Sequence, residues 1–183
     1  MKNNFVAILM ILISLPVFSQ ENMVSLSGGY AFANIEDADQ QGTGWRINGL
    51  YEFNPAGGPF AHGIAFGYIG LSAESTLPNE TVTYKINSYP LYYSPKFMFG
   101  NEKFKGFVKG ALGMQFAGLK REGPITSLSD NDFGFYGGGG AGFKLFLGEK
   151  LFLSAEYEIA WASNSWYSDG WMNSALGGIG IRF

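Results

Sequence analysis

Residues 151–162 read LFLSAEYEIAWA, and their spacing decides the fold class. Leu151, Leu153, Ala155, Tyr157, Ile159 and Trp161 share one face at period two, while Ser154, Glu156 and Glu158 share the other. Alternation of this kind is the mark of a strand with two chemically opposed faces; a helix would scatter both sets around its circumference. The same pattern recurs outward in both directions. Trp45, Ile47, Gly49, Tyr51 and Phe53 oppose Arg46, Asn48 and Glu52. Val108, Leu112, Met114 and Phe116 oppose Lys105, Lys109 and Gln115. Phe133, Phe135, Ala141, Phe143, Leu145 and Leu147 oppose Tyr136, Lys144 and a run of glycines. Eight such segments follow one another, near 23–33, 43–53, 60–72, 82–99, 104–119, 132–147, 151–162 and 171–183.

A soluble sandwich would alternate in the same way, so the surroundings of the strands must decide. At the start of the chain Lys2 precedes the apolar run Phe5–Leu15, then Pro16 and a small residue at Ser19. That is the form of an export signal, and the run is too short for the roughly 20 residues of a membrane helix. We expect residues 1–19 to be a signal peptide and residues 20–183 to be one barrel domain. The chain has no cysteine, which leaves no lipoprotein anchor and no disulfide framework. Connections after the second, fourth and sixth segments look short, whereas those near 34–42, 73–81, 120–131 and 163–170 look longer. Alternating short turns and long loops are the habit of outer-membrane barrels.

Energetics fix which face meets lipid. A Lys or Arg at the bilayer midplane costs about 2–4 kcal/mol. Arg46, Lys109 and Lys144 pointing outward with Glu156 and Glu158 would consume a stability of about 5–15 kcal/mol. The charged face must therefore line a lumen. Eight strands enclose a space that side chains just fill, and Gly29, Gly63, Gly67, Gly113, Gly138, Gly140, Gly178 and Gly180 fall on the inner face, leaving room for long neighbours. The expected lumen network is Arg46, Glu52, Lys96, Lys105, Lys109, Lys144, Glu156, Glu158 and Arg182. A symmetric turn after the sixth strand sets Glu156 across from Gly142, a diagonal step from Lys144.

The chain ends Gly177-Gly178-Ile179-Gly180-Ile181-Arg182-Phe183. This resembles the C-terminal assembly signal of bacterial outer-membrane barrels, with Gly177, Ile179, Ile181 and Phe183 in its key places. The stretch Ser88–Phe97 is similar to the fourth strand of the outer membrane protein beta-barrel domain group. Together with the export signal, the mature chain resembles a small eight-stranded barrel of the OmpA/OmpX type. The resemblance implies an all-β, antiparallel, up-and-down transmembrane barrel in the bacterial outer membrane, contacting lipid and, during biogenesis, the barrel assembly machinery. The wider group contains adhesins, structural anchors, narrow channels and a few lipid-modifying enzymes. Pro90 and Pro95 depart from an ideal strand, and a bulge or a broken pair is expected there.

Other chemistries find little footing. A net charge of −3 gives no basic field for nucleic acid. His62 is the one histidine, and with no second imidazole and no thiol a zinc or haem site would be hard to assemble; the His-x-Ser pattern of barrel deacylases is absent, since Gly63-Ile64 follows. Gly137–Gly142 is glycine-rich like a phosphate loop but lies in an alternating strand with no helix after it. No cofactor, metal or catalytic residue is expected. The outer loops are acidic, with Glu36, Asp37, Asp39, Glu74, Glu80, Glu122, Asp130, Asp132 and Asp169 against Lys120 and Arg121. Glu36–Asp39 lacks the spacing of a calcium loop. Trp161 and Trp171 suit an aromatic girdle, while Trp166 and Tyr167 either pack the fourth loop or meet a protein or glycan partner. The expected function is that of a non-enzymatic barrel with a plugged polar lumen, structural or partner-binding through its loops. A narrow solute channel is the alternative, and a lipid-modifying enzyme comes third.

Composition then falls into place: 27 glycines, 17% aromatics, 15% charged residues and a mean hydropathy of only +0.04 average over two opposed faces. Removing Lys2 from the 12 basic residues leaves 11 against 15 acidic, a balance of −4 split between a basic interior and an acidic exterior.

Overall fold

The computed structural model describes residues 21–183 apart from 37, 39, 56–57, 78–79, 124–126 and 165. The expected signal peptide, Asp37 and Asp39 lie outside the described residues. Eight strands follow in chain order: β1 (Glu21–Ile35), β2 (Gly42–Asn54), β3 (Phe60–Leu77), β4 (Glu80–Gly100), β5 (Phe104–Glu122), β6 (Ser127–Phe146), β7 (Leu151–Ala162) and β8 (Tyr167–Arg182). Each pairs antiparallel with the next, and β8 returns to β1, so the sheet closes as an up-and-down barrel. Asn22 and Phe183 exchange backbone hydrogen bonds of 3.1 and 2.9 Å at the seam. Closure satisfies the strand edges within the hydrocarbon, where open backbone groups cost several kcal/mol each.

The faces fall as the alternation requires. Leu26, Ile47, Phe66, Leu112, Phe143, Ile159 and Ile179 are exposed on the outer wall, while Arg46, Glu52, Lys144 and Glu158 are buried within. Trp161 pairs directly with Trp171, both on the outer wall. His62 also faces outward, its Nδ1 2.5 Å from the Tyr93 hydroxyl and its ring 5.2 Å from that of Phe53. At the β4–β5 turn, Gly100 adopts φ 119°, and the Asn101 side chain accepts from the amides of Lys103 and Phe104. Only glycine takes that backbone conformation cheaply.

The prolines interrupt pairing without shifting it. Opposite β3, the paired run stops at Leu91 and resumes at Ser88 in the same register; opposite β5 it stops at Tyr93 and resumes at Lys96. A glycine faces each ring: Gly67 lies against Pro90 and Gly110 against Pro95. Parity therefore survives, and Lys96 points inward, 3% exposed.

The loop lengths differ from expectation. The stretches near 73–81 and 120–131 are chiefly strand, because β3 and β4 pair out to Leu77 and Glu80, and β5 and β6 out to Glu122 and Ser127. β2 stops at Gly42 and β7 at Ala162, so the ends of β3–β6 rise above their neighbours as a four-stranded sheet. The outer connections, of six, two, four and four residues, are consequently on average no longer than the inner turns of five, three and four. Beyond the bilayer an outward residue need not be apolar, so Glu74, Thr83, Lys85 and Lys120 replace the alternating hydrophobes and hide the strand.

Candidate functional site in the barrel lumen

The lumen is filled in layers. At mid-height Glu158 of β7 gathers three donors: Arg46 Nη1 of β2 at 2.6 Å, Lys109 Nζ of β5 at 2.6 Å and the Tyr136 hydroxyl of β6 at 2.5 Å. Arg46 also donates to the Tyr92 hydroxyl at 3.0 Å and to Ser174 Oγ at 3.2 Å, and its guanidinium lies 5.9 and 6.0 Å from the ring centres of Tyr92 and Tyr136. Lys109 bridges to Glu156 at 2.9 Å. Towards the inner end, Glu52 of β2 holds two lysines, Lys96 of β4 at 2.7 Å and Lys144 of β6 at 2.5 Å. These two cations rest over aromatic faces, Lys96 4.6 Å from Phe107 and Lys144 5.0 Å from Phe152.

Each of these buried cations lies against a carboxylate, which is what burial demands. A buried charge without a partner costs several kcal/mol, and one carboxylate shared among several donors spreads that burden. Glycine is the enabling residue. A Cβ at Gly140 would collide with the backbone of Tyr157 and crowd the Lys109 stem, and one at Gly142 would press on Phe107 and Glu156.

Apolar layers close both ends. On the inner side Met23, Phe146 and Phe152 form one cluster and Ala61, Met98 and Phe107 another. Lys105 and Arg182 sit at that rim rather than in the filled lumen, 3.4 and 3.5 Å from Glu21. On the outer side Ile35, Ile69, Leu71, Val82, Tyr84, Ile86, Tyr167 and Met172 pack beneath Trp166. Gln115 donates to Asn164 at 2.9 Å, and Asn164 to Asp132 at 3.1 Å.

The structure thus brings Arg46, Lys109, Glu156 and Glu158 into one group and Glu52, Lys96 and Lys144 into a second. One expectation changes, and one alternative is narrowed. Lys144 pairs with Glu52, not Glu156, although Glu156 does lie opposite Gly142. Trp166 and Tyr167 are buried at 8% and 4% exposure, with the Tyr167 hydroxyl 2.9 Å from Ser88 Oγ, so they cap the lumen and offer no contact surface. The reason is the risen sheet, whose apolar inner face needs a cover. Tyr92 and Glu21 also join the charged groups and were not singled out from sequence. Their inward parity was readable, since Tyr92 lies an even step from Lys96.

Among the described residues there is no cluster of three His, Asp or Glu able to hold a metal ion. Two spacious recesses lie outside the lumen. One of about 780 Å³ indents the lipid-facing wall around Leu26, Ile47 and Ile179, and one of about 730 Å³ lies beside the inner turns near Leu147 and Arg182.

Comparison with known proteins agrees with this geometry. The model of the family described as outer membrane protein beta-barrel domain matches residues 5–183. No curated protein matches. Among solved structures the fold is similar to Neisserial surface protein A, with a TM-score of 0.66, 11% identity, and coverage of 88% of this chain and 97% of that one. It is similar also to Ail, the attachment invasion locus protein of Yersinia pestis, with a TM-score of 0.60, 16% identity, and coverage of 91% and 100%. A second Ail structure, in complex with the heparin analogue sucrose octasulfate, gives a TM-score of 0.56 at 19% identity, with coverage of 91% and 100%. At these identities the likeness is one of fold.

Proposed function

The chain belongs to the outer membrane protein beta-barrel domain family and resides in the bacterial outer membrane, and on that premise we propose that it is a non-enzymatic, non-conducting barrel that acts through its outer surface. The observation that carries this reading is the filled lumen: Arg46, Tyr136 and Glu158 are each at most 1% exposed, and Arg46 and Tyr136 both donate to Glu158 between two apolar closures. A passive solute path would need those groups to part, leaving charges without partners in a low dielectric. The contact surface falls to the outward faces of the two risen hairpins, because the buried Trp166 and Tyr167 are spoken for. Ail has been solved with a sulfated glycan analogue. Here the outer end carries Glu36, Glu74, Glu122, Asp130 and Asp169 against Lys85, Lys120 and Arg121, a balance that favours a protein or an uncharged glycan over a polyanion. Gly177, Ile179, Ile181 and Phe183 remain our candidate signal to the assembly machinery; Ile179, Ile181 and Phe183 stand exposed on the outer wall.

Planar-bilayer recording tests the non-conducting reading. The refolded barrel is expected to give no steady current. A steady ion-selective conductance that Lys109→Ala or Glu156→Ala abolishes overturns it in favour of a narrow channel. That second reading draws on one observation, the six basic side chains against four acidic ones along the lumen and its inner rim, which would make such a pore anion-preferring. Co-purification in mild detergent then seeks the partner.

A further inference from the structure

On the outward face of β4 and β5 the register lays down three successive rows. Tyr89 faces Phe116; one step further out Asn87 faces Gly118; one step beyond that Lys85 faces Lys120. The rows run from apolar to polar to cationic, and where they meet is a recess of about 260 Å³. We propose that this recess binds the phosphate-bearing headgroup of an outer-leaflet lipid, with Lys120 as the anion contact and the acyl chain over Tyr89 and Phe116.

Four observations support that occupant. Like charges directly opposite on neighbouring strands repel, yet Lys85 and Lys120 are so placed. Glu122 bridges Lys85 at 2.6 Å and meets Lys120 only through longer-range attraction, and among the described residues Lys120 has no ion pair within 4 Å. The Tyr68 hydroxyl donates to Asn87 Oδ1 at 2.5 Å, which leaves the Asn87 amide nitrogen as a donor to an incoming oxygen. Gly118 keeps the space open, since a side chain there would press on Asn131 Oδ1. Tyr89 and Phe116, 42% and 49% exposed, continue the floor into the lipid-facing wall. That continuity selects a lipid over a dissolved anion. A free phosphate would approach through the acidic outer rim with nothing to place on the aromatic floor, whereas a lipid arrives in the plane of the membrane and buries its chain there.

The test uses the full refolded chain in a maltoside detergent, with bound lipid counted by native mass spectrometry. The probes are dioleoyl phosphatidic acid, dioleoylglycerol, which has the same chains without phosphate, and inorganic phosphate. Phosphatidic acid is expected to bind about ten-fold more tightly than dioleoylglycerol, the scale of one hydrogen bond to a charged group, and inorganic phosphate not to compete. Lys120→Gln and Gly118→Leu should each lower phosphatidic acid occupancy, while Lys103→Gln at the opposite rim should leave it unchanged. Retention of phosphatidic acid by both variants overturns the proposal. Competition by inorganic phosphate alone identifies a free-anion site and overturns the lipid assignment. Equal occupancy by the two lipids overturns it on the unaltered chain, whether or not either variant refolds.

Discussion

The membrane-spanning part of β4 and its outer end obey opposite rules. Lower down, the inward residues are Lys96, Ser94 and Tyr92 and the outward ones Phe97, Tyr93 and Leu91. Higher up, the inward residues are Ile86, Tyr84 and Val82, and Lys85 points out. The exchange takes place between Ser88 and Tyr89, without any change of register. What alters is the medium outside: against lipid the polar set must turn in, and against water the apolar set must. One strand therefore belongs to two cores, an ion-paired one that tolerates burial by pairing and an apolar one held by the hydrophobic effect.

Mutation should separate the two cores by size of effect and by how each fails. Glu158→Ala strips Arg46 of its carboxylate and should cost about 3–5 kcal/mol, as expected when one member of a buried pair is lost; urea unfolding of the barrel in lipid vesicles measures it. A loss under 1 kcal/mol would mean that water already enters the lumen. Ile86→Ala should cost about 2 kcal/mol, the lower end for deleting a buried aliphatic, since the risen sheet can relax towards solvent. Its signature should be faster proteolysis of the outer hairpins with the membrane-embedded strands still protected. Cleavage throughout the chain would show that the two cores unfold as one.

The smallest effect belongs to the sheet's solvent-facing surface. The Lys85 ammonium, by its hydrogen bond first and its charge second, holds the exposed Glu122 carboxyl below its ordinary value. A carboxyl lowered in the folded state stabilises above its ordinary value, and that contribution fades as pH falls through the lowered one. Lys85→Gln should therefore raise the Glu122 midpoint in a carbon-detected NMR titration while leaving unfolding almost untouched. An unmoved midpoint would show that the bridge does not persist in solution.

The lumen's faces were legible in sequence because a membrane enforces alternation harshly: Arg46, Glu52 and Lys144 could go nowhere but inward. Even Lys96, beyond two prolines, obeys that parity. Partner choice was less legible. Register arithmetic sets Glu156 near Lys144, but in so narrow a barrel side chains meet across the axis, and Lys144 reaches Glu52 four strands away. The outer sheet was hardest to see, since the inversion at Ser88 and Tyr89 makes its strands look like acidic loops, and without that sheet nothing shows what a packed Trp166 would cover.

The seam between β1 and β8 has a consequence for assembly. Met23 pairs with Arg182 and Ala33 with Met172, so almost the whole barrel separates partners that every other strand finds within one hairpin. Hairpins can form early with short loops to close, whereas the seam joins chain segments whose encounter carries the largest entropic cost in the molecule. Its middle rung is Gly28 against Gly177, which offers no side chains to hold the pair while the remaining rungs align. The barrel should zip from its hairpins and lock last at this seam, and it is there that a forced opening should begin.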